Sequence, residues 1–87
     1  MTTANATAVG DIDFAKVLAE CDATIKAAED RRIELFAIQE DLLKRWLRED
    51  VEAELDANMA ELSKLVHHAE NARRRRALAL EAQRGKA

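Results

Sequence analysis

Few side chains in this sequence could perform nucleophilic or metal chemistry. Cys21 is the single cysteine, and His67 and His68 are the two histidines. Adjacent residues of a helix diverge by about 100°, so these histidines cannot easily share one metal ion. Ligating pairs on a helix usually stand at i and i+4, and one cysteine forms no metal-binding pair. We expect no catalytic residues, no metal, no cofactor and hence no enzyme.

The strongest local cluster of charge is Arg73-Arg74-Arg75-Arg76, followed by Arg84 and Lys86. On a helix, four successive residues form a collar rather than a one-sided stripe. Residues 1–66 carry eight basic and fifteen acidic side chains, whereas residues 67–87 carry six basic and two acidic ones. The arginines could therefore pair with the acidic first half of the chain, contact nucleic acid, or bind an acidic protein. No aromatic residue interleaves with them to stack on bases.

Composition indicates an all-α protein. The 87 residues include no proline, and the two glycines, Gly10 and Gly85, stand near the ends. Alanine, leucine, glutamate, lysine and arginine dominate, as in long helices and coiled coils. No apolar run approaches the ~20 residues needed to span a bilayer, and the first residues do not resemble a secretory signal. We expect a cytoplasmic protein of bacterial or phage origin.

A heptad seam runs through the first half of the chain with strictly alternating steps of four and three residues, which is typical of a coiled coil. Its members are Phe14, Leu18, Cys21, Ile25, Ala28, Arg32, Leu35, Gln39, Leu42 and Trp46. We expect Cys21 to be a buried core residue. Arg32 and Gln39 either fix the register of the seam or extend outward along the groove.

The first seam fails near residue 49, and a second one starts out of phase. We expect the second seam to contain Leu55, Met59, Leu62, Val66 and Ala69. Basic residues precede the phase change and acidic residues follow it, as expected for one helix ending and another beginning. This pattern predicts a turn at 49–50. One alternative is a continuous bent helix, and another is a break at Asn58.

The predicted turn divides the chain into two matched helical arms. We expect a flexible lead-in over residues 1–10, and a helical hairpin over 11–84 with helices at 12–48 and 51–84. A frayed tail should occupy 85–87. Asp11 is a suitable N-cap for the first helix, and Gly85 is a suitable stop for the second.

The stretch 33–47 has a wider apolar stripe than one seam requires, which indicates more than one neighbouring helix. We expect partner binding by Ile33, Phe36, Ile38, Leu43, Trp46 and Leu47. The core and self-association surface should contain Phe14, Leu18, Cys21, Ile25, Leu35, Leu42, Trp46, Leu55, Met59, Leu62 and Val66. Because two helices make a thin core, we predict a homodimer in the form of an antiparallel, coiled-coil-like four-helix bundle. An obligate complex with another protein is the alternative.

The predicted architecture is similar to small dimeric helical hairpins such as the ROP RNA-binding regulator, and to the short two-helix export chaperones of bacterial secretion systems. The likeness is one of shape and carries over no motif residue. The segment Trp46-Leu47-Arg48 lacks the glycine of the WXG secreted proteins.

These patterns favour a non-enzymatic protein–protein interaction module, such as an adaptor, small chaperone or assembly factor. We expect it to self-associate and bind a partner protein, with no membrane partner and no small-molecule substrate. The alternative is a small nucleic-acid-binding regulator that uses Arg73, Arg74, Arg75, Arg76 and Arg84.

Overall fold

The computed structural model describes residues 12–86, and this part of the chain forms two antiparallel α-helices. Helix α1 spans Phe14–Arg45 and helix α2 spans Glu52–Lys86. The two helices pack against each other along their length. The predicted all-α helical hairpin is therefore confirmed. Predictions about residues 1–11 and Ala87 concern positions outside the described residues.

Helix α1 begins at Phe14 rather than at residue 12. The side chain of Asp13 acts as the N-cap, because its Oδ1 accepts a hydrogen bond from the backbone N–H of Lys16 at 3.1 Å. This bond satisfies one of the amide groups that lack a partner in the first turn of a helix. The N-cap of α1 is therefore Asp13 and not the predicted Asp11.

Helix α2 continues through Gly85 to Lys86, two residues past the predicted end at 84. A glycine that stops a helix usually has a positive φ. No described glycine has a positive φ, so Gly85 is a helical residue and not the predicted stop.

The turn occupies residues 46–51, and at its start the backbone hydrogen bonds change from the α-helical spacing to a tighter three-residue spacing. The backbone N–H of Trp46 still donates to Leu42 O at 2.9 Å, and that of Arg48 donates to Arg45 O at 2.9 Å. On the other side, Asp50 Oδ1 accepts from the N–H of Glu52 at 3.1 Å. A continuous bent helix is therefore excluded.

The charge reversal that predicted the turn lies at the two helix ends. Lys44 and Arg45 stand in the last turn of α1, whereas Glu52 and Glu54 stand in the first turn of α2. Each pair has the sign that its helix dipole favours. Asn58, the alternative break, lies inside α2.

The interface between the helices follows one seam on each helix. On α1 the fully buried residues recur every seven positions: Phe14, Cys21, Ala28, Leu35 and Leu42. From Val51 in the turn along α2, a row of buried or half-buried residues follows steps of four and three: Val51, Leu55, Asn58, Leu62, Leu65, Ala69, Ala72, Arg76 and Ala79. The second seam was therefore misplaced at two positions, since Asn58 and Leu65 occupy it in place of Met59 and Val66.

The core is built differently in its two halves. Near the turn, Leu42, Val51 and Leu55 form a cluster of large buried side chains. Farther from the turn, the buried residues of α2 are the small Ala69, Ala72 and Ala79. Since a small side chain removes less apolar surface from water, the end far from the turn gains less from burial than the turn end does.

The described part of the chain is a single layer of two helices, and the molecule has extents of 60 × 26 × 15 Å. Most domains bury their helices between two or more layers of secondary structure. In this hairpin each helix covers only the stripe that meets its neighbour. Both broad faces of the layer are therefore exposed, and the side chains on them differ strongly.

Candidate protein-binding surface

The predicted core residues divide into three groups by exposure. Phe14, Cys21, Leu35, Leu42 and Leu55 are buried. Leu18, Ile25 and Leu62 are half-buried. Trp46, Met59 and Val66 are exposed. These three residues lie outside the core between α1 and α2. Trp46 lies past the end of α1, and Met59 and Val66 lie one position off the α2 seam. Their role in self-association stays a prediction.

All six residues predicted to bind a partner are exposed: Ile33, Phe36, Ile38, Leu43, Trp46 and Leu47. Four of them form a row with Glu40, in the order Ile33, Phe36, Glu40, Leu43 and Leu47. The steps of this row are three, four, three and four residues, so α1 and the turn that follows it carry a second apolar seam, to one side of the residues that meet α2. Ile33 is 69% exposed and Leu47 is 89% exposed. Such a seam is typical of a helix that packs against a further helix.

One broad face of the hairpin is apolar near the turn. We define this apolar face by Phe36 and Leu43 on α1 and by Met59 and Val66 on α2, all of which are exposed. Phe36, Met59 and Val66 line a shallow groove between the helices. Arg32 and Gln39 also line it, and the Arg32 guanidinium lies 5.8 Å from the centre of the Phe36 ring. This contact is within the range of a cation–π interaction.

The opposite broad face carries ion pairs between the helices. Arg31 binds Glu61 through two hydrogen bonds, from Nε at 2.7 Å and from Nη2 at 3.2 Å. Closer to the turn, Arg45 lies 3.8 Å from Glu54. Ile38 lines the groove between these two pairs. We call this surface the ionic face. Of the six residues predicted to bind a partner, Ile38 is the one that lies on it.

The two hydrogen bonds between Arg31 and Glu61 shift the pKa values of both side chains. The hydrogen bonds from Arg31 lower the pKa of Glu61 below its ordinary value, and they exceed the opposing effect of partial desolvation. The hydrogen bond to Glu61, followed by that to Glu34, raises the pKa of Arg31. Two-point pairing of this kind has more geometric specificity than a single ion contact, so it fixes how the two helices face each other.

The arginine cluster is largely occupied by carboxylates of α1. Arg73 binds Glu29 at 3.1 Å, and Arg75 binds Glu20 at 3.4 Å. Arg76 binds Asp22 at 2.8 Å. The intramolecular interpretation of this cluster therefore agrees with the geometry.

The remaining arginines proposed for nucleic-acid binding are Arg74 and Arg84. Both are exposed, and neither makes an ion pair within residues 12–86. With three of the four clustered arginines already neutralised, the local positive field that would attract phosphates is weakened.

Trp46 lies at the C-terminal end of α1 and remains about half exposed. It does not close the hairpin core in the way that the first seam predicts. The core at this end is closed instead by Val51, which is 1% exposed. The four-residue step from Val51 to Leu55 is visible in the sequence and is the signal that could have identified Val51 as a core residue.

The residues that could do chemistry lie apart from one another. Cys21 is free and buried in the helix interface, whereas His67 and His68 are exposed on α2. Within residues 12–86, no three side chains of the His, Cys, Asp and Glu types are grouped so that they could hold a metal ion.

Comparison with known proteins supplies no relative. The sequence matches no protein-family model, no curated protein and no solved structure. Among the described residues, neither helix is sufficiently long and apolar to cross a membrane. The functional interpretation therefore depends on the surfaces of the hairpin.

Proposed function

We propose that this chain is a cytoplasmic, non-enzymatic interaction module that self-associates as a dimeric four-helix bundle and binds a partner protein. In this role it acts as an adaptor, small chaperone or assembly factor. The single observation that carries the proposal is the exposed seam of Ile33, Phe36 and Leu43 on α1, continued by Leu47 in the turn. A helix that exposes apolar residues at heptad spacing gains free energy when another helix covers them.

The position of this seam supports a binding role more than a purely structural one. The hairpin already has an interface in which large residues such as Leu35 and Leu42 are buried. The additional seam lies beside that interface, and its side chains remain about half or more exposed. Groups of exposed apolar side chains of this kind often mark interaction sites on soluble proteins.

Nucleic-acid binding by the arginine cluster is the weaker candidate. Glu20, Asp22 and Glu29 already bind three of its arginines, and a phosphate would have to displace them. We therefore assign the cluster to holding together the end of the hairpin where the core residues are small.

The proposal is tested by affinity capture with the full chain, followed by quantitative mass spectrometry of protein and nucleic acid in the same eluate. The baits are the wild type, the double variant Ile33→Glu/Leu47→Glu, and Leu78→Glu as a control. Leu78 is 67% exposed on α2 and does not belong to the α1 seam. We expect one or a few proteins to be retained by the wild type and by the control, and lost from the double variant.

Two results would contradict this function. One is a wild-type chain that stays monomeric and retains no protein that the double variant loses. The other is an eluate dominated by nucleic acid that disappears when Arg73–Arg76 are replaced by glutamine. The nucleic-acid alternative also requires that the retention weakens steeply as salt increases.

A further inference from the structure

The apolar face has the same geometric origin on both helices. Phe36 and Leu43 directly follow the buried residues Leu35 and Leu42 on α1. On α2, Met59 and Val66 directly follow the seam residues 58 and 65. One residue step rotates a side chain by about 100° around the helix axis. Each helix therefore presents a second apolar direction roughly at a right angle to the direction in which it meets its neighbour.

This geometry fits one kind of occupant. In a square four-helix bundle, each helix contacts two neighbours at directions about 90° apart. A single added helix would instead lie over the groove between α1 and α2, where Arg32 and Gln39 stand. Phe36, Met59 and Val66 line this groove beside those polar side chains. Because the exposed apolar side chains come from both helices, a layer two helices wide covers them over the full width of the hairpin.

We propose that the apolar face binds the apolar face of a second copy of this chain, with the two hairpins antiparallel. This inference rests on the proposed function and specifies which surface makes the self-association and in which orientation. It leaves Ile33 and Leu47, at the outer side of the α1 seam, for the partner protein.

The available area is sufficient for a reversible dimer. The face between the Glu29–Arg73 pair and Trp46 covers 17 residue steps, or roughly 26 Å of helix, and two helices are roughly 20 Å wide. Its projected area is therefore roughly 500 Å² per copy. The roughly 1,000 Å² for the pair is at the low end of specific interfaces, where reversible complexes lie.

The charges of the face favour the antiparallel orientation. At the turn end, Glu52 and Asp56 make no ion pair within residues 12–86. Arg32, toward the middle of the hairpin, also makes no ion pair within the described part of the chain, although it lies over Phe36. Two parallel hairpins would bring their acidic turn ends together. An antiparallel pair centred near Phe36 places the acidic turn of each copy toward Arg32 of the other, which is the complementary arrangement.

In the half of the hairpin away from the turn, the same face is charged, and this limits how far the two copies can overlap. There Glu29 is paired with Arg73 and Asp22 with Arg76. Covering these pairs would remove charged groups from water, which costs free energy unless their hydrogen bonds are fully satisfied. The interface is therefore confined to the half of the hairpin that contains the turn.

Sedimentation equilibrium of the full chain tests the surface. Phe36→Asp and Met59→Asp should each raise the dimer dissociation constant by at least about 30-fold, as expected for a residue central to an interface. Ile38→Asp is the matched control, because Ile38 is on the same helix as Phe36 with similar exposure but on the ionic face. Circular dichroism checks that each variant keeps its helices. A monomeric wild type at all concentrations, or equal effects of Phe36→Asp and Ile38→Asp, would overturn the inference.

The orientation is tested by the distance between two spin labels in the dimer. The label is placed on Arg48→Cys in a Cys21→Ala background, where residue 48 is in the turn and exposed. Antiparallel copies centred near Phe36 separate the two labels by about 36 Å along the bundle, since twelve residue steps on each side are about 18 Å. Parallel copies bring the labels within about 20 Å, and that result would refute the antiparallel arrangement.

A charge reversal provides an independent check. Arg32→Glu should weaken the dimer severalfold at low salt, whereas Arg74→Glu should not, because Arg74 is exposed outside the apolar face. Equal effects of the two reversals would refute the proposed charge pairing. If every dimer test fails and protein capture still depends on Ile33 and Leu47, the interaction module stands and only the two-copy interface is wrong.

Discussion

Asn58 donates a hydrogen bond from its side-chain Nδ2 to the backbone carbonyl oxygen of Leu35, across the interface between the two helices, at 3.2 Å. Leu35 is among the most deeply buried residues of α1, and Asn58 is buried as well. The Oδ1 atom of Asn58 is also buried, and it has no hydrogen-bond partner within the described part of the chain. A single polar side chain in a helical seam fixes register at a cost in stability. We assign that role to Asn58.

Replacing Asn58 with leucine should stabilise the hairpin and weaken its register. The change removes a buried acceptor that lacks a donor, a defect that costs about 1–3 kcal/mol. We expect the free energy of unfolding to increase by about 1–2 kcal/mol in urea denaturation. We also expect less uniform oligomers in sedimentation velocity, because an apolar seam accepts other alignments.

Asn58→Asp is the matched variant, since it has nearly the same shape but loses the Nδ2 donor. A carboxylate next to the Leu35 carbonyl oxygen would be buried without a donor, and we expect a loss of about 3 kcal/mol or more. If Asn58→Leu lowers stability as Asn58→Asp does, the unpaired Oδ1 is not a defect and the register role is wrong.

Leu35 itself should contribute more to stability than any exposed leucine. Leu35 is 2% exposed, and truncation of a buried leucine to alanine usually costs 2–5 kcal/mol. We expect Leu35→Ala to lose about 3 kcal/mol in denaturant titration. Leu47→Ala, at a position that is 89% exposed, should change the stability of the hairpin very little. A similar loss in both variants would mean that the isolated hairpin is not the unit that unfolds.

The sequence was sufficient to predict the hairpin because two independent patterns changed at one place. The heptad seam lost its phase and the charges reversed sign near residues 49 and 50, where the structure has its turn. Both signals are local consequences of helix geometry and helix dipoles. They therefore do not depend on which residues the second helix contacts.

The second seam was harder to predict because apolar residues occur at two neighbouring phases of α2. Met59 and Val66 follow residues 58 and 65 directly, and hydrophobicity alone favours Met59 over Asn58. The choice of Asn58 depends on its hydrogen bond to Leu35, which is a tertiary contact. A row of alternating four- and three-residue steps starting at Val51 was the available signal, but it requires accepting Asn58 and Arg76 in a seam.

The sequence predicts that ion pairs form across the hairpin, but it does not predict which residues pair with each other. An acidic first arm and a basic end of the second arm favour pairing, and this is how Arg73, Arg75 and Arg76 are placed. The individual partners depend on the alignment of the arms, which the core residues set. The contrast between the apolar and ionic faces follows from the same alignment and was not visible in the sequence.

Removal of the acidic partners should expose the arginine cluster to other anions. In the triple variant Glu20→Gln/Asp22→Asn/Glu29→Gln, the three carboxylates that bind Arg73, Arg75 and Arg76 are neutral. We expect non-specific binding to a short duplex DNA to strengthen at least tenfold at low salt relative to the wild type, and to fall as salt increases. Fluorescence anisotropy measures it.

The control for this prediction neutralises three acids elsewhere, Glu52, Asp56 and Glu70, so that the change in net charge is the same. Those residues are exposed on α2 and make no ion pair within residues 12–86, so their neutralisation releases no arginine. Equal strengthening by both triple variants would show that overall charge, rather than release of the arginines, controls the binding.

The Arg31–Glu61 pair should make the stability of the hairpin depend on pH in the acidic range, although both side chains are partly exposed. Since the pKa of Glu61 is lowered in the folded chain by the hydrogen bonds from Arg31, the unfolded chain binds the proton more readily. The pair therefore stabilises the fold above the ordinary carboxyl pKa of about 4.3, and this contribution is lost as the pH falls through the lowered value. We expect wild type to melt at a higher temperature than Glu61→Gln at pH 7, and the difference to shrink below about pH 4. Glu70→Gln is the control, because Glu70 is exposed on α2 and makes no ion pair within residues 12–86. A difference between wild type and Glu61→Gln that stays constant from pH 7 to pH 2 in thermal melts would contradict the assignment.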